Sequence, residues 1–199
     1  MKIKNKFDSP VDLDKVRSLA IIGDVDSGKT NLAFYYTNSY KGKRKKYLYG
    51  YPREIKGYIS VSTWNDILKI KDGIIFIDEL QRFLKVYDRK ANIKLMELIS
   101  LFAHKNNTLI FTTQVSQFIT RGVEAYIDCW AIKRIDIEML KNGSKPKRII
   151  ERLNYAKKND WILDLEDGEF YEYSERNEIG ENKIKKFPFQ NIGKDWRNF

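Results

Sequence analysis

Apolar residues in this chain gather into short, bounded runs. Ser18-Leu19-Ala20-Ile21-Ile22 is partly β-branched and ends in a glycine, which predicts a buried parallel strand. Gly73-Ile74-Ile75-Phe76-Ile77 repeats the pattern and stops at two carboxylates, Asp78 and Glu79. Thr108-Leu109-Ile110-Phe111-Thr112-Thr113 is a third such run, ended by Gln114. Between the strands the period lengthens. From Lys29 to about Tyr40, Leu32, Ala33 and Tyr36 recur at helical spacing, and Leu95, Leu98, Ile99 and Phe102 share one face of another helix. Residues 47–52 read as a strand and turn. Residues 58–62 alternate as a strand, after which Ser62 or Thr63 is placed to cap a helix running to about Lys69. One more strand is predicted at about 127–135. Residues 148–153, 161–165 and 169–173 read as short strands separated by Asn-Asp and Asp-Gly turns, and the polar tail 177–199 as extended or partly disordered.

Strands alternating with helices point to an α/β domain with a mostly parallel sheet. A chain of 199 residues holds one such domain with appendages. The expected organisation is a domain over 1–176, with its motif-bearing core at about 18–135 and a small β-rich appendage at about 146–176, then the tail. A single cysteine, Cys129, excludes an internal disulfide framework, and a single histidine, His104, argues against a histidine-based metal centre. Near the end of its helix, His104 reads as a satisfied helix-terminal residue. No apolar run approaches the roughly 20 residues that span a bilayer, and no apolar stretch follows the charges at the N-terminus, so a cytoplasmic protein without membrane insertion is expected. The net charge of +10 adds an attraction to polyanions, nucleic acid first among them. The competing reading is a charged surface of the kind common in a hot or AT-rich host.

The chemistry concentrates where the strands end. Gly23-x4-Gly28-Lys29-Thr30 matches the Walker A pattern and lies between a predicted strand and a predicted helix, the context that motif requires. The predicted phosphate cradle is Gly23, Asp24, Val25, Asp26, Ser27, Gly28, Lys29 and Thr30. Its backbone N–H groups must face inward, and Gly28 permits the close approach. Lys29 reaches the β and γ phosphates of ATP, and the Thr30 hydroxyl ligates Mg²⁺ at the helix N-terminus. Asp24 and Asp26 are expected to turn outward, since a carboxylate in the cradle would repel the ligand. Asp78 is placed to hold Mg²⁺ through water and Glu79 to polarise the attacking water, although Glu79 also suits the start of a helix. Gln114 ends a strand expected between those of the two motifs; its amide can report on the γ-phosphate or simply end the strand.

Three segments together, Phe76-Ile77-Asp78-Glu79-Leu80-Gln81-Arg82-Phe83, Ser100-Leu101-Phe102-Ala103-His104-Lys105 and Leu109-Ile110-Phe111-Thr112-Thr113-Gln114, resemble the FtsK/HerA superfamily of DNA-pumping ATPases. Among its members, the short Zot-like and viral genome-packaging ATPases are most similar. The resemblance covers about residues 18–135; Phe170-Tyr171-Glu172-Tyr173-Ser174-Glu175 adds a faint likeness to a motif after the Zot-like core. It implies a RecA-like three-layer P-loop fold and a homo-oligomeric ring, hexameric or pentameric, with double-stranded DNA in its channel and ATP between subunits. Genome packaging by a viral or mobile-element translocase, with a capsid or portal protein as possible partner, is the leading expectation. A Zot-like virion assembly or extrusion ATPase and an ATP-dependent switch with low turnover are the alternatives.

Many members of that superfamily carry an arginine where this chain has Ala103. Arg89 and Arg121 are the candidates to replace it as the arginine finger; Arg82 and Lys105 are further possibilities. For DNA contact the densest stretch is Lys41, Lys43, Arg44, Lys45 and Lys46, whose charges suit sequence-independent grip on phosphates or a solvated loop. Residues 141–148 form a second basic stretch. Tyr47, Tyr49 and Tyr51, at strand spacing, read as one packed face.

Overall fold

Strand β1 (Ser18–Gly23) is buried along its whole length, which for a strand of alternating side chains requires cover on both faces. Leu19 and Ile21 point into one core cluster and Ala20 and Ile22 into the other. The same alternation splits β4 (Gly73–Ile77), where Ile74 and Phe76 face one side and Ile75 and Ile77 the other. The computed structural model describes residues 7–82, 89–114, 121–135, 165–174 and 183–189. Within them a single sheet of eight strands runs in the order β3-β2-β4-β5-β1-β6-β7-β8. The remaining strands are β2 (Lys45–Tyr49), β3 (Ile59–Val61), β5 (Thr108–Gln114), β6 (Cys129–Ile132), β7 (Glu169–Ser174) and β8 (Lys183–Lys186).

Pairing is parallel from β3 through β6 and antiparallel for β6–β7 and β7–β8. Helix α1 (Lys29–Ser39) covers one face through Leu32, Ala33 and Tyr36, together with Val11, Leu13 and Val16 from the segment before β1. The other face is covered by α2 (Trp64–Lys69), α3 (Arg89–His104) and α4 (Arg121–Glu124), through Ile67, the expected stripe Leu95, Leu98, Ile99 and Phe102, and Val123. Thr63 caps α2, its hydroxyl accepting from the Asp66 N–H at 3.2 Å. The layers are helix, sheet, helix.

Two differences from the sequence reading, and two placements it left open, have physical causes. First, β2 begins at Lys45, two residues early, because Lys45 and Lys46 already pair with Gly73 and Ile74 on β4. Second, the tyrosines of that region do not share a face: Tyr47 and Tyr49 pack on the α3 side, whereas Tyr51 meets Phe34 edge-on at 5.4 Å on the α1 side. Third, β7, in the region read as a β-rich appendage, pairs antiparallel with β6. It adds to the main sheet, and a buried ion pair from Glu172 to Lys185 joins it to β8, with Glu172 also accepting from the Tyr36 hydroxyl at 2.5 Å and the Val11 N–H at 3.2 Å. Fourth, the tail contributes an ordered strand, β8, and the buried Phe187. The strand expected at 148–153 and all but Leu165 of the one expected at 161–165 lie outside the described residues, as does the basic stretch 141–148.

Candidate functional site

The loop after β1 turns tightly enough to exclude side chains at both of its glycines. A Cβ on Gly23 would lie 2.7 Å from both Lys133 Cβ and Ser27 Oγ, and Gly28 takes φ +85° as it caps α1. Between them Val25 is 61% exposed and Asp26 is exposed, at φ 56°, so Asp26 turns outward as expected. Asp24 is half-buried instead: its N–H donates to the Arg134 carbonyl at 3.1 Å, and its own carbonyl accepts from the Lys29 ammonium. Lys29 is 8% exposed, and burial pulls its pKa down despite the opposing pull of Asp78, Glu79, Asp24 and Asp26. Negative charge in the loop would restore the countercharge that burial removes.

The carboxylates arrive from β4. Asp78 is fully buried; its Oδ1 accepts from the Thr30 hydroxyl at 3.0 Å and from the Thr112 hydroxyl at 2.7 Å. Thr112 also accepts the Glu79 N–H at 2.7 Å, and Glu79 stands at φ 48°, a left-handed conformation rare outside glycine. One hydroxyl therefore holds both acidic residues at the carboxyl end of β4. The Glu79 carboxylate pairs with Arg82 in the 3₁₀ turn Leu80–Arg82 of the same chain. Gln114 closes β5 directly beside Gly23, with β5 lying between β4 and β1 as expected.

These residues fit a magnesium nucleotide. Ser27 Oγ is buried with no hydrogen-bond partner among the described residues, and the Lys29 ammonium donates to a backbone carbonyl of the loop itself. The Thr30 hydroxyl and Asp78 carboxylate supply the hard oxygens that Mg²⁺ prefers.

Arg89 opens α3. Arg121 opens α4, which runs within two residues to Tyr126, whose carbonyl accepts the Ser18 hydroxyl at the start of β1 (2.6 Å). Ala103 is half-buried, and the Lys105 ammonium is tied to the Leu68 carbonyl. The basic stretch precedes and enters β2, at the end of the sheet away from the cradle. Within it Arg44 is committed to the fold, bonding to Asp14 (2.9 Å), Thr108 Oγ1 (2.8 Å) and the Leu13 carbonyl (2.7 Å). That guanidinium is unavailable for a phosphate. Lys46 is half-buried with its ammonium 6.0 Å from the Tyr58 ring centre, which leaves Lys41, Lys43 and Lys45 exposed.

Sequence reasoning missed Thr112 as a bridge, and it missed Lys133. Lys133 directly follows the apolar run of β6, the same signal that singled out Asp78 after β4. Its buried ammonium donates to the carbonyls of Asp167 (2.6 Å) and Glu169, pinning the turn before β7 beside the loop.

No protein-family model matches the chain, and no curated protein does. Among solved structures it is similar to the DNA-packaging ATPase B204 from Sulfolobus Turreted Icosahedral Virus, with a TM-score of 0.60 at 17% identity over 87% of this chain and 98% of that one. The genome packaging NTPase B204 from Sulfolobus turreted icosahedral virus 2, in complex with AMPPCP, gives 0.61 at 17% identity over 90% and 100%. The cytoplasmic domain of the Thermomonospora curvata Type VII secretion ATPase EccC gives 0.56 at 12% identity over 90% of this chain and 24% of that one. With its strand order and cradle, the chain has the RecA-like three-layer fold of these P-loop ATPases.

Proposed function

We propose that the chain is a cytoplasmic ATPase that drives double-stranded DNA, working as a homo-oligomeric ring in the packaging of a viral or mobile-element genome. The observation that carries the ATPase reading is the relay Thr30–Asp78–Thr112–Glu79, which fixes the Asp78 carboxylate and the Glu79 backbone at the mouth of a phosphate cradle. Thr30 and Asp78 would hold Mg²⁺, which when bound neutralises phosphate charge. Lys29 binds the β and γ phosphates, Glu79 orients and polarises the attacking water, and Gln114 contacts the γ-phosphate from the adjoining strand. The DNA and packaging parts rest on the net charge of +10 and on a fold shared, over nearly the whole chain, with B204.

A second reading, an assembly or secretion ATPase with no direct grip on DNA, is favoured by two observations. The chain shares its fold with EccC as well, and Arg44, at the centre of the basic stretch, is bound into the protein. ATPase rate with and without long double-stranded DNA, across protein concentration and salt, separates the two. Stimulation that rises cooperatively with protein concentration is the expected result; turnover indifferent to DNA would favour the second reading. Glu79→Gln should keep ATP binding and lose turnover, and robust hydrolysis by that variant would remove Glu79 as the water-activating residue.

A further inference from the structure

The two sides of the cradle differ in chemistry. Thr30, Asp78, Thr112 and Glu79 mark the side of β4 and β5, where a terminal phosphate and its cation belong. In the other direction the sheet continues from β1 through β6, β7 and β8. On that side a Cβ on Gly28 would lie 2.8 Å from Cε2 of Phe189 and 3.7 Å from the Asp167 carbonyl oxygen. Phe189 follows β8 closely and is half-buried. Its ring meets Phe187 edge-on (6.4 Å, 76°), and Phe187 packs on Phe170 at 5.8 Å with the Lys133 ammonium 4.8 Å from its ring centre. Lys133 also holds the carbonyl of Asp167. The turn carrying Asp167 and the segment carrying Phe189 therefore form one braced wall beside the loop.

We propose that Phe189 is the platform on which the nucleotide base stacks. The proposal rests on reading residues 23–30 as a nucleotide cradle. A nucleotide whose terminal phosphate faces Asp78 must leave the loop away from β4, and there it meets an aromatic ring held against Gly28. Every base offers a π face, so a half-buried phenyl ring binds it without needing a matched hydrogen bond. The bracing by Phe187 and Lys133 fixes the ring before the base arrives, which lowers the ordering cost of binding.

Direct binding measurements on the full chain test this without turnover, using ATP and inorganic tripolyphosphate, which fills the cradle but has no base. Phe189→Ala is expected to weaken ATP by roughly 5- to 100-fold and to leave tripolyphosphate affinity within a factor of about two. Phe189→Trp is expected to keep ATP affinity, and its emission, after subtraction of the wild-type signal, should change on adding ATP and stay constant with tripolyphosphate. ATP affinity of Phe189→Ala equal to wild type would overturn the proposal. Tighter binding would overturn it as well, since it would make the ring a cover over the cradle. Equal losses for ATP and tripolyphosphate would show damage to the loop in place of a missing base platform, and would also overturn it. If wild type bound neither ligand, the cradle reading itself would fall and the proposal with it.

Discussion

The Thr112 hydroxyl donates to Asp78 Oδ1 and accepts from the Glu79 N–H, so it holds both acidic residues in one geometry. A valine there keeps the shape and removes both bonds, leaving a buried carboxylate one donor short and a backbone N–H without its acceptor. Such a loss costs about 1–3 kcal/mol, which in a rate corresponds to roughly 5- to 150-fold. Thr112→Val is therefore expected to lower kcat by that range while ATP binding, measured directly, holds within a few-fold; unchanged turnover would show that Thr30 alone positions Asp78. The cradle residues and the Asp78-Glu79 pair could be read from the chain because each motif is contiguous and sits where one strand ends. Thr112 could not. It reaches Asp78 only through the pairing of Ile77 with Phe111 on neighbouring strands, a register that no local pattern encodes.

Among elements, β7 forms at Glu169–Ser174, where a strand was expected at 169–173, whereas β8 and the buried polar contacts of β7 were not legible in the sequence. The parallel core was readable because continuous apolar runs mark strands covered on both faces. β7 instead carries Glu172 at a fully buried position, made tolerable by Lys185, Tyr36 and Val11 from three other parts of the chain. A charged residue whose partners are that remote leaves no periodic trace. Lys133 is the functional counterpart, because burial pushes its pKa down to about 8 from the ordinary lysine value of 10.5. Between those values the unfolded chain binds the proton more tightly than the folded one. By linkage, wild-type stability relative to Lys133→Met is flat below about pH 8 and rises with pH from there to about 10.5. The full rise is on the order of 3 kcal/mol at most, or roughly 5–10 °C in Tm for a chain of this size. Thermal melts of the two proteins from pH 7 upward check it, and parallel curves would show that Lys133 is not titrating in the fold.

At the scale of the whole molecule, charge separates by role. Lys185 is locked inside with Glu172, while β8 presents the exposed Lys183 and Lys186 at the sheet's edge, where positive charge discourages pairing with another chain. The opposite edge is closed by β3, only three residues long. Lys41, Lys43 and Lys45 are exposed far from the cradle and remain the DNA-contact candidates of that stretch. Reversing all three to glutamate should weaken double-stranded DNA binding and flatten its dependence on salt, by roughly 0.9 in log–log slope for each phosphate no longer neutralised. Arg44→Ala should instead lower Tm and leave the salt slope unchanged. A slope unmoved by the triple reversal would return these lysines to the solvated surface.

The wall beside Gly28 also sets an order in time. The loop is made from residues 23–30, but the groups that close it on one side, Lys133, Asp167 and Phe189, come much later in the chain. At a synthesis rate of about 5–20 residues per second, Phe189 leaves the ribosome roughly 8–30 s after Gly28. From the synthesis of Asp78 to that of Phe189 the nascent protein carries the loop and the Thr30–Asp78 pair without the wall, so the loop is closed on that side only when β8 docks.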